Sequence, residues 1–420
     1  MRICSILFLI SLFLTGCEPS NVDFFEASGT QDPPRVTRIY TDAMGNIYPR
    51  SGLGKAFSSF SEHDGSLLNA MMDRNSNLCT EVGKNTETAL LCDAIPNGNW
   101  HSAQTVLRRG TARKIIDEVR ANGQDTDLVF LIHGFNNTAS EAQKSYEEAR
   151  ASIAKFSVPT RKQHFIEIYW DGHTSENIPA EAWKNAQWSG PLVGFKLRQL
   201  MYYLNQEIGD LDDQSVRLRF LTHSSGAFVV GAIFGDPSAA LEKLGVAPDE
   251  VGDDYEFFAY HRDSVDPKNH NSISSFNDLR IGMLAPATSD WTFIGNTRFR
   301  GGFRSNGATV LFSIQPDDLV LTKGGLGADT ADQGSTGLGV DAGRHYCNAL
   351  RENPSLADRE IKFIAYDFRR SKKVFGKKVS SHDLVDYLDQ AANHSSFMQD
   401  LFSSDEIDVA AAENQICGKS

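Results

Sequence analysis

Six short apolar runs constrain this chain more than any other feature. They are Asp127-Leu128-Val129-Phe130-Leu131-Ile132, Phe165 to Trp170, Val216 to Leu221, Leu279 to Leu284, Thr309 to Ile314 and Ile361 to Phe368. A strand that is apolar on both sides must be covered on both sides. Helical patterns at Ser140 to Phe156 and Ala180 to Asn205 fall between the first three runs and can supply that cover. The alternation is the rhythm of βαβ units, and it predicts an α/β fold with a mainly parallel, doubly wound sheet and helices on both faces. With 420 residues, 40% of them hydrophobic, the chain can build one large core or two smaller ones. Asp and Glu outnumber Lys and Arg by 54 to 41, giving a formal charge of −13, and no basic block interrupts that background. Binding to a phosphate backbone needs clustered cations, so a nucleic-acid partner is not expected.

The N-terminus reads as an address. Arg2 precedes an apolar run from Ile3 to Leu14, too short for the ~20 residues that span a bilayer but suited to the core of a signal peptide. The run ends in Leu14-Thr15-Gly16-Cys17, which resembles the bacterial lipobox. That resemblance implies loss of residues 1–16, lipidation of Cys17 and a membrane anchor in the bacterial cell envelope. Residues 17–35, with Pro19, Gly29, Pro33 and Pro34, form a polar tether. The folded domain is expected over 36–405 with an insertion at about 236–277, followed by a tail at 406–420. Residues 295–308 and 323–343 read as Gly-rich loops. Gly324 to Asp329 resembles one turn of a calcium-binding β-roll, but such turns must stack on copies of themselves, so it too reads as a loop.

Export favours disulfides, and Cys79, Cys92, Cys347 and Cys417 remain after processing. Three connectivities are open, of which Cys79–Cys92 with Cys347–Cys417 is the expected pair. None of these cysteines stands in CxxC or beside ligand-spaced histidines, and no glycine-rich loop carries the Gly-Lys-Ser/Thr of a phosphate-binding loop. Neither metal nor cofactor is expected.

Four segments carry chemistry. Leu131-Ile132-His133-Gly134-Phe135-Asn136-Asn137 follows the first strand, and a glycine at such a turn lets amide N–H groups face a cleft, as an oxyanion requires. Phe220-Leu221-Thr222-His223-Ser224-Ser225-Gly226-Ala227 reads as strand, tight turn and helix start. It matches a nucleophile elbow in which small residues flank the serine, although Thr222 stands where glycine is usual. Taking Ser225 as nucleophile would put His223 and Ala227 in the flanking places, so Ser224 fits better. A serine needs a base, and the base an orienting acid. After the strand Thr309 to Ile314 come Asp317 and Asp318, and after the last strand come His382 and His394. The residues alone leave both choices open.

Together these segments resemble the bacterial α/β-hydrolases of the domain-of-unknown-function 900 family, often described as esterase-like. The matching motifs are His133 to Asn137, an imperfect Tyr169-Trp170-Asp171-Gly172 turn, Thr222 to Gly226, Asp317-Asp318-Leu319-Val320-Leu321 and His394-Ser395-Ser396-Phe397. They lie in order over roughly residues 100–402. The resemblance implies an α/β-hydrolase fold with a triad of Ser224, Asp318 and His394. It also implies an oxyanion hole from the N–H groups of Phe135 and Ser225, with Asn136, Asn137 and His133 bracing the loop. The expected activity is hydrolysis of a small-molecule or lipid carboxylic ester, with amides and thioesters open to the same chemistry. The competing class is a lipoprotein that keeps the fold as a binding scaffold without activity.

Overall fold

The computed structural model describes residues 32–48, 86–123, 125–135, 137, 139–170, 179–209, 211, 215–235, 276, 278–288, 308–315, 318, 321, 362–368, 373–374, 377–378, 382–393, 395–403 and 407. Its centre is a sheet of eight strands: β1 (Val36–Thr41), β2 (Ile47–Tyr48), β3 (Thr126–Ile132), β4 (Lys162–Trp170), β5 (Val216–His223), β6 (Leu279–Leu284), β7 (Thr309–Ile314) and β8 (Lys362–Asp367). They lie in the order β2-β1-β4-β3-β5-β6-β7-β8, all parallel except β2, which returns antiparallel to β1. A separate two-stranded ribbon, β9 (Lys373–Val374) with β10 (Lys377–Lys378), follows β8. The helices are α1 (Thr86–Ala94), α2 (Trp100–Asn122), α3 (Ala139–Ile153), α4 (Pro179–Ile208), α5 (Gly226–Phe234), α6 (Leu384–Asn393) and α7 (Phe397–Phe402). Among the described residues, no helix is long and apolar enough to cross a membrane.

The apolar runs become central strands because both sheet faces are covered. Successive side chains point to opposite faces, so Leu128, Phe130 and Ile132 of β3 join one core with Ile115 and Ile116 of α2, Val193 and Leu197 of α4, and Val229 of α5. Val129 and Leu131 join the other core, with Tyr146 and Ile153 of α3, Tyr387 and Leu388 of α6, and Phe397 and Leu401 of α7. Each such side chain contributes about 1.5–3 kcal/mol on burial, which outweighs intrinsic strand preferences that differ by ~1 kcal/mol.

The α/β class and parallel sheet agree with the sequence. Strands β6 and β7 have the expected bounds, and β5 runs two residues further, to His223, which carries the strand up to the serine. The predicted helix at 140–156 is α3 from Ala139 to Ile153 followed by a 3-10 turn, Ala154–Phe156. Strand β1 and helix α2 were not expected. In β1 the inward polar residues are paired: Arg38 Nε donates to Glu167 Oε2 at 2.9 Å, and Thr37 Oγ1 meets His164 Nε2 at 3.0 Å. Cys17, most of the tether, the loops at 236–275 and 323–343, and Cys79, Cys347 and Cys417 lie outside the described residues. Cys92, in α1, is disulfide-bonded.

One topological feature positions the site. From β3 the chain steps to β4 on one side and then to β5 on the other. Where the winding reverses, the connections leaving two adjacent strands diverge and open a crevice at their C-terminal ends. His133 and Gly134 follow β3 there, and Ser224 follows β5.

Candidate active site

The turn after β5 is forced into a shape that ordinary residues avoid. Ser224 has φ +52°, a left-handed conformation that costs a non-glycine residue on the order of 1 kcal/mol and survives only where its surroundings hold it. Here they do. Ser224 N–H donates to Leu284 O at 3.0 Å, while Ser224 O accepts from Ala227 N–H and Ala287 N–H, each at 3.2 Å. Gly226 opens α5, and a Cβ there would lie 2.8 Å from the carbonyl oxygens of both Ile132 and His133. Only glycine lets helix and strand approach so closely. Gly134 is fixed by the same crowding, since its Cβ would come within 2.9 Å of Ser224 Cβ. Thr222 sits in the ladder with Oγ1 buried and lacking a hydrogen-bond partner, so the unusual residue is accommodated within the strand, before the bend.

A continuous hydrogen-bonded chain extends from that serine. Ser224 Oγ lies 2.9 Å from His382 Nε2, and His382 Nδ1 lies 2.8 Å from Asp318 Oδ2. Asp318 is fully buried. Its Oδ2 also accepts from the Tyr387 hydroxyl at 2.7 Å, and Oδ1 accepts from Leu321 N–H at 3.2 Å. Burial pushes the Asp318 pKa up, but the hydrogen bond and charge of His382, with the Tyr387 and Leu321 donors, outweigh it and hold the group below the usual carboxylate value. The ionised carboxylate accepts Nδ1–H and leaves Nε2 as the acceptor facing the serine hydroxyl, the arrangement a general base needs.

The imidazole in this chain belongs to His382, not to His394, which lies outside the described residues. This corrects the base assignment. His382 directly precedes Asp383, whose Oδ1 accepts from Val385 N–H at 3.0 Å and so caps the start of α6. The Ser381-His382-Asp383 stretch ahead of an apolar helical pattern was the signal available in the sequence. Of the two carboxylates considered, Asp318 holds the histidine, and Asp317 lies outside the described residues. Tyr387, which shares the Asp318 oxygen, was missed altogether.

The loop expected to form an oxyanion hole departs from expectation in one respect. Phe135 N–H donates to Ser225 Oγ at 2.7 Å, so in this state it is not a free donor. Ser225, the residue that caps α5, has no backbone acceptor for its N–H among the described residues. Two of the three expected brace residues, Asn137 and His133, contact the loop. Asn137 Nδ2 donates to Gly134 O at 3.1 Å. His133 Nδ1 meets Gly134 O at 2.6 Å, and Nε2 accepts from Trp170 N–H at 3.3 Å. The His133 ring stacks on Trp170, with centroids 5.8 Å apart. Burial lowers its pKa to about 4, against a smaller upward pull from the Gly134 carbonyl, so the ring is neutral at pH 7. Asn136 lies outside the described residues.

Among the described residues, no group of three or more His, Cys, Asp or Glu could hold a metal ion. Comparison of the chain with protein-family models, with curated proteins and with solved structures gives no match.

Proposed function

We propose that this chain is a serine hydrolase with an α/β-hydrolase fold, acting on carboxylic esters through Ser224, His382 and Asp318. The observation that carries the reading is the unbroken path from Ser224 Oγ through His382 to Asp318, at 2.9 and 2.8 Å, on a serine held at positive φ. Ser224 Oγ attacks the ester carbonyl as His382 Nε2 takes its proton. The tetrahedral oxyanion is stabilised by Ser225 N–H and by Phe135 N–H, once the latter exchanges Ser225 Oγ for the substrate oxygen. Collapse expels the alcohol, which receives the proton from His382. Water then attacks the acyl-serine, its proton passes to His382 and on to Ser224 Oγ, and the acid leaves.

A fluorophosphonate probe, which reacts only with an activated serine, tests this. Ser224→Ala is expected to abolish labelling, His382→Ala and Asp318→Asn to slow it at least about a hundred-fold, and His394→Ala to leave the rate close to that of the parent. Labelling that survives in Ser224→Ala, or that depends on His394 and not on His382, rejects the assignment. No labelling of the folded parent protein favours the non-catalytic scaffold. The envelope location rests on the lipobox resemblance at Cys17. Cys17→Ser is expected to move the protein from the membrane fraction to the soluble one, and an unchanged distribution rejects the anchor.

A further inference from the structure

Beside the catalytic imidazole lies a cleft of about 350 Å³, and its walls do not suit a fatty chain. One wall is α3, which contributes Glu141, Lys144 and Glu148. Their spacing of three and four residues puts them on one helical face. The opposite wall is the segment before α6, with Asp383, and the floor includes His223 and His382. Among the described residues, Leu384 and Val385 are the only aliphatic side chains in the lining. The lining thus carries three carboxylates and one ammonium among the described residues.

Two atoms in these walls point independently to a ligand. His223 is 8% exposed, yet its Nε2 has no hydrogen-bond partner. A main-chain hydrogen bond to His382 holds the same ring, and burial, followed by the nearby His382, lowers its pKa to about 3. The ring is therefore neutral, and with its proton committed to the main chain it offers Nε2 as an acceptor. Glu148 Oε2 is likewise buried without a partner. Acceptors without donors beside a surplus of negative charge are complementary to a cation and costly to leave empty. The side of the reaction also follows from geometry. His382 returns its proton to the departing alcohol, so the leaving group exits on the imidazole side, where this cleft opens, while the acyl oxygen turns toward Ser225 N–H.

We infer that the cleft formed by α3 and the His382–Val385 segment binds a cationic group on the alcohol portion of the ester. This deepens the hydrolase reading and rests on it. The test is a pair of esters differing in charge, 2-(dimethylamino)ethyl butyrate, whose protonated amine carries an N–H donor, and its uncharged isostere 3-methylbutyl butyrate, run beside fluorophosphonate labelling of Ser224. The expected kcat/KM ratio favours the aminoethyl ester by about ten-fold, shrinks as salt screens the carboxylates, drops at least three-fold in Glu148→Gln and inverts in Glu148→Lys. A ratio near one, or turnover of neither ester by protein whose Ser224 still labels, overturns the cation reading and leaves the hydrolase standing. Loss of Ser224 labelling removes both.

Discussion

At the scale of single residues, the site depends on how one carboxylate is held. Asp318 Oδ2 takes hydrogen bonds from His382 and from Tyr387, whose hydroxyl has no other acceptor among the described residues. Tyr387 is 1% exposed, and burial beside the Asp318 charge raises its pKa well above the ordinary tyrosine value, so it stays protonated as a donor. It touches no reacting atom and acts only through Asp318, which makes it a positioning residue. A hydrogen bond to a charged group is worth about 1.5–3 kcal/mol, and losing this one lets the carboxylate rotate and weakens its hold on Nδ1. Tyr387→Phe is therefore expected to lower kcat about ten-fold with KM little changed, while the kcat pH profile shifts because the Asp318–His382 pair is altered. Equal kcat and an unshifted profile in the folded variant would assign Tyr387 to packing alone.

At the scale of elements, what was legible in the sequence follows burial. Strands β3, β6 and β7 stood out because both of their faces are apolar, and the positions of Ser224, Asp318 and the histidine segments followed from the strands that precede them. Strand β1 escaped because the sequence VTRIYT is neither an unbroken apolar run nor a regular alternation, and its polar members are buried against partners far along the chain, Arg38 on Glu167 and Thr37 on His164. No local pattern announces such pairs. Helix α2 was obscured in the same way, with Arg108 and Gln104 fully buried on the face that a periodicity reading needs to be apolar. The choice of histidine failed for a different reason. His382 and His394 both follow the last strand, and distance along the chain does not say which turns back over β5. That depends on the course of the chain after β8 and on the cap that Asp383 gives α6. The Ser225 hydroxyl was unreadable too, because its partner, Phe135 N–H, is ninety residues away.

At the scale of the whole molecule, three histidines among the described residues are buried in neutral form, and this sets how the fold responds to acid. His133 and His164 are lowered to about 4 and His223 to about 3. Burial is the leading cause in each. For His164 the positive charges of Lys114 and Arg35 add to it, and for His223 that of His382 does. All three lie far from the unfolded value near 6.5. Below that value the unfolded chain takes up protons that the native state refuses. Their contribution to stability is thus complete above about pH 6.5 and is withdrawn as the pH falls from there toward 4, at up to about 1.4 kcal/mol per pH unit for each histidine. Asp318, depressed in the native state, acts in the same direction at still lower pH, its contribution being lost as it protonates. Urea unfolding is expected to give a constant midpoint from pH 8 to 7 and a steep decline from 6.5 to 4.5. His164→Gln, which removes a buried imidazole outside the Ser224–His382–Asp318 chain, should flatten that decline by about a third even if it lowers the midpoint at pH 7.5. A midpoint that does not change between pH 7.5 and 5 would mean that these imidazoles gain their protons without opening the core.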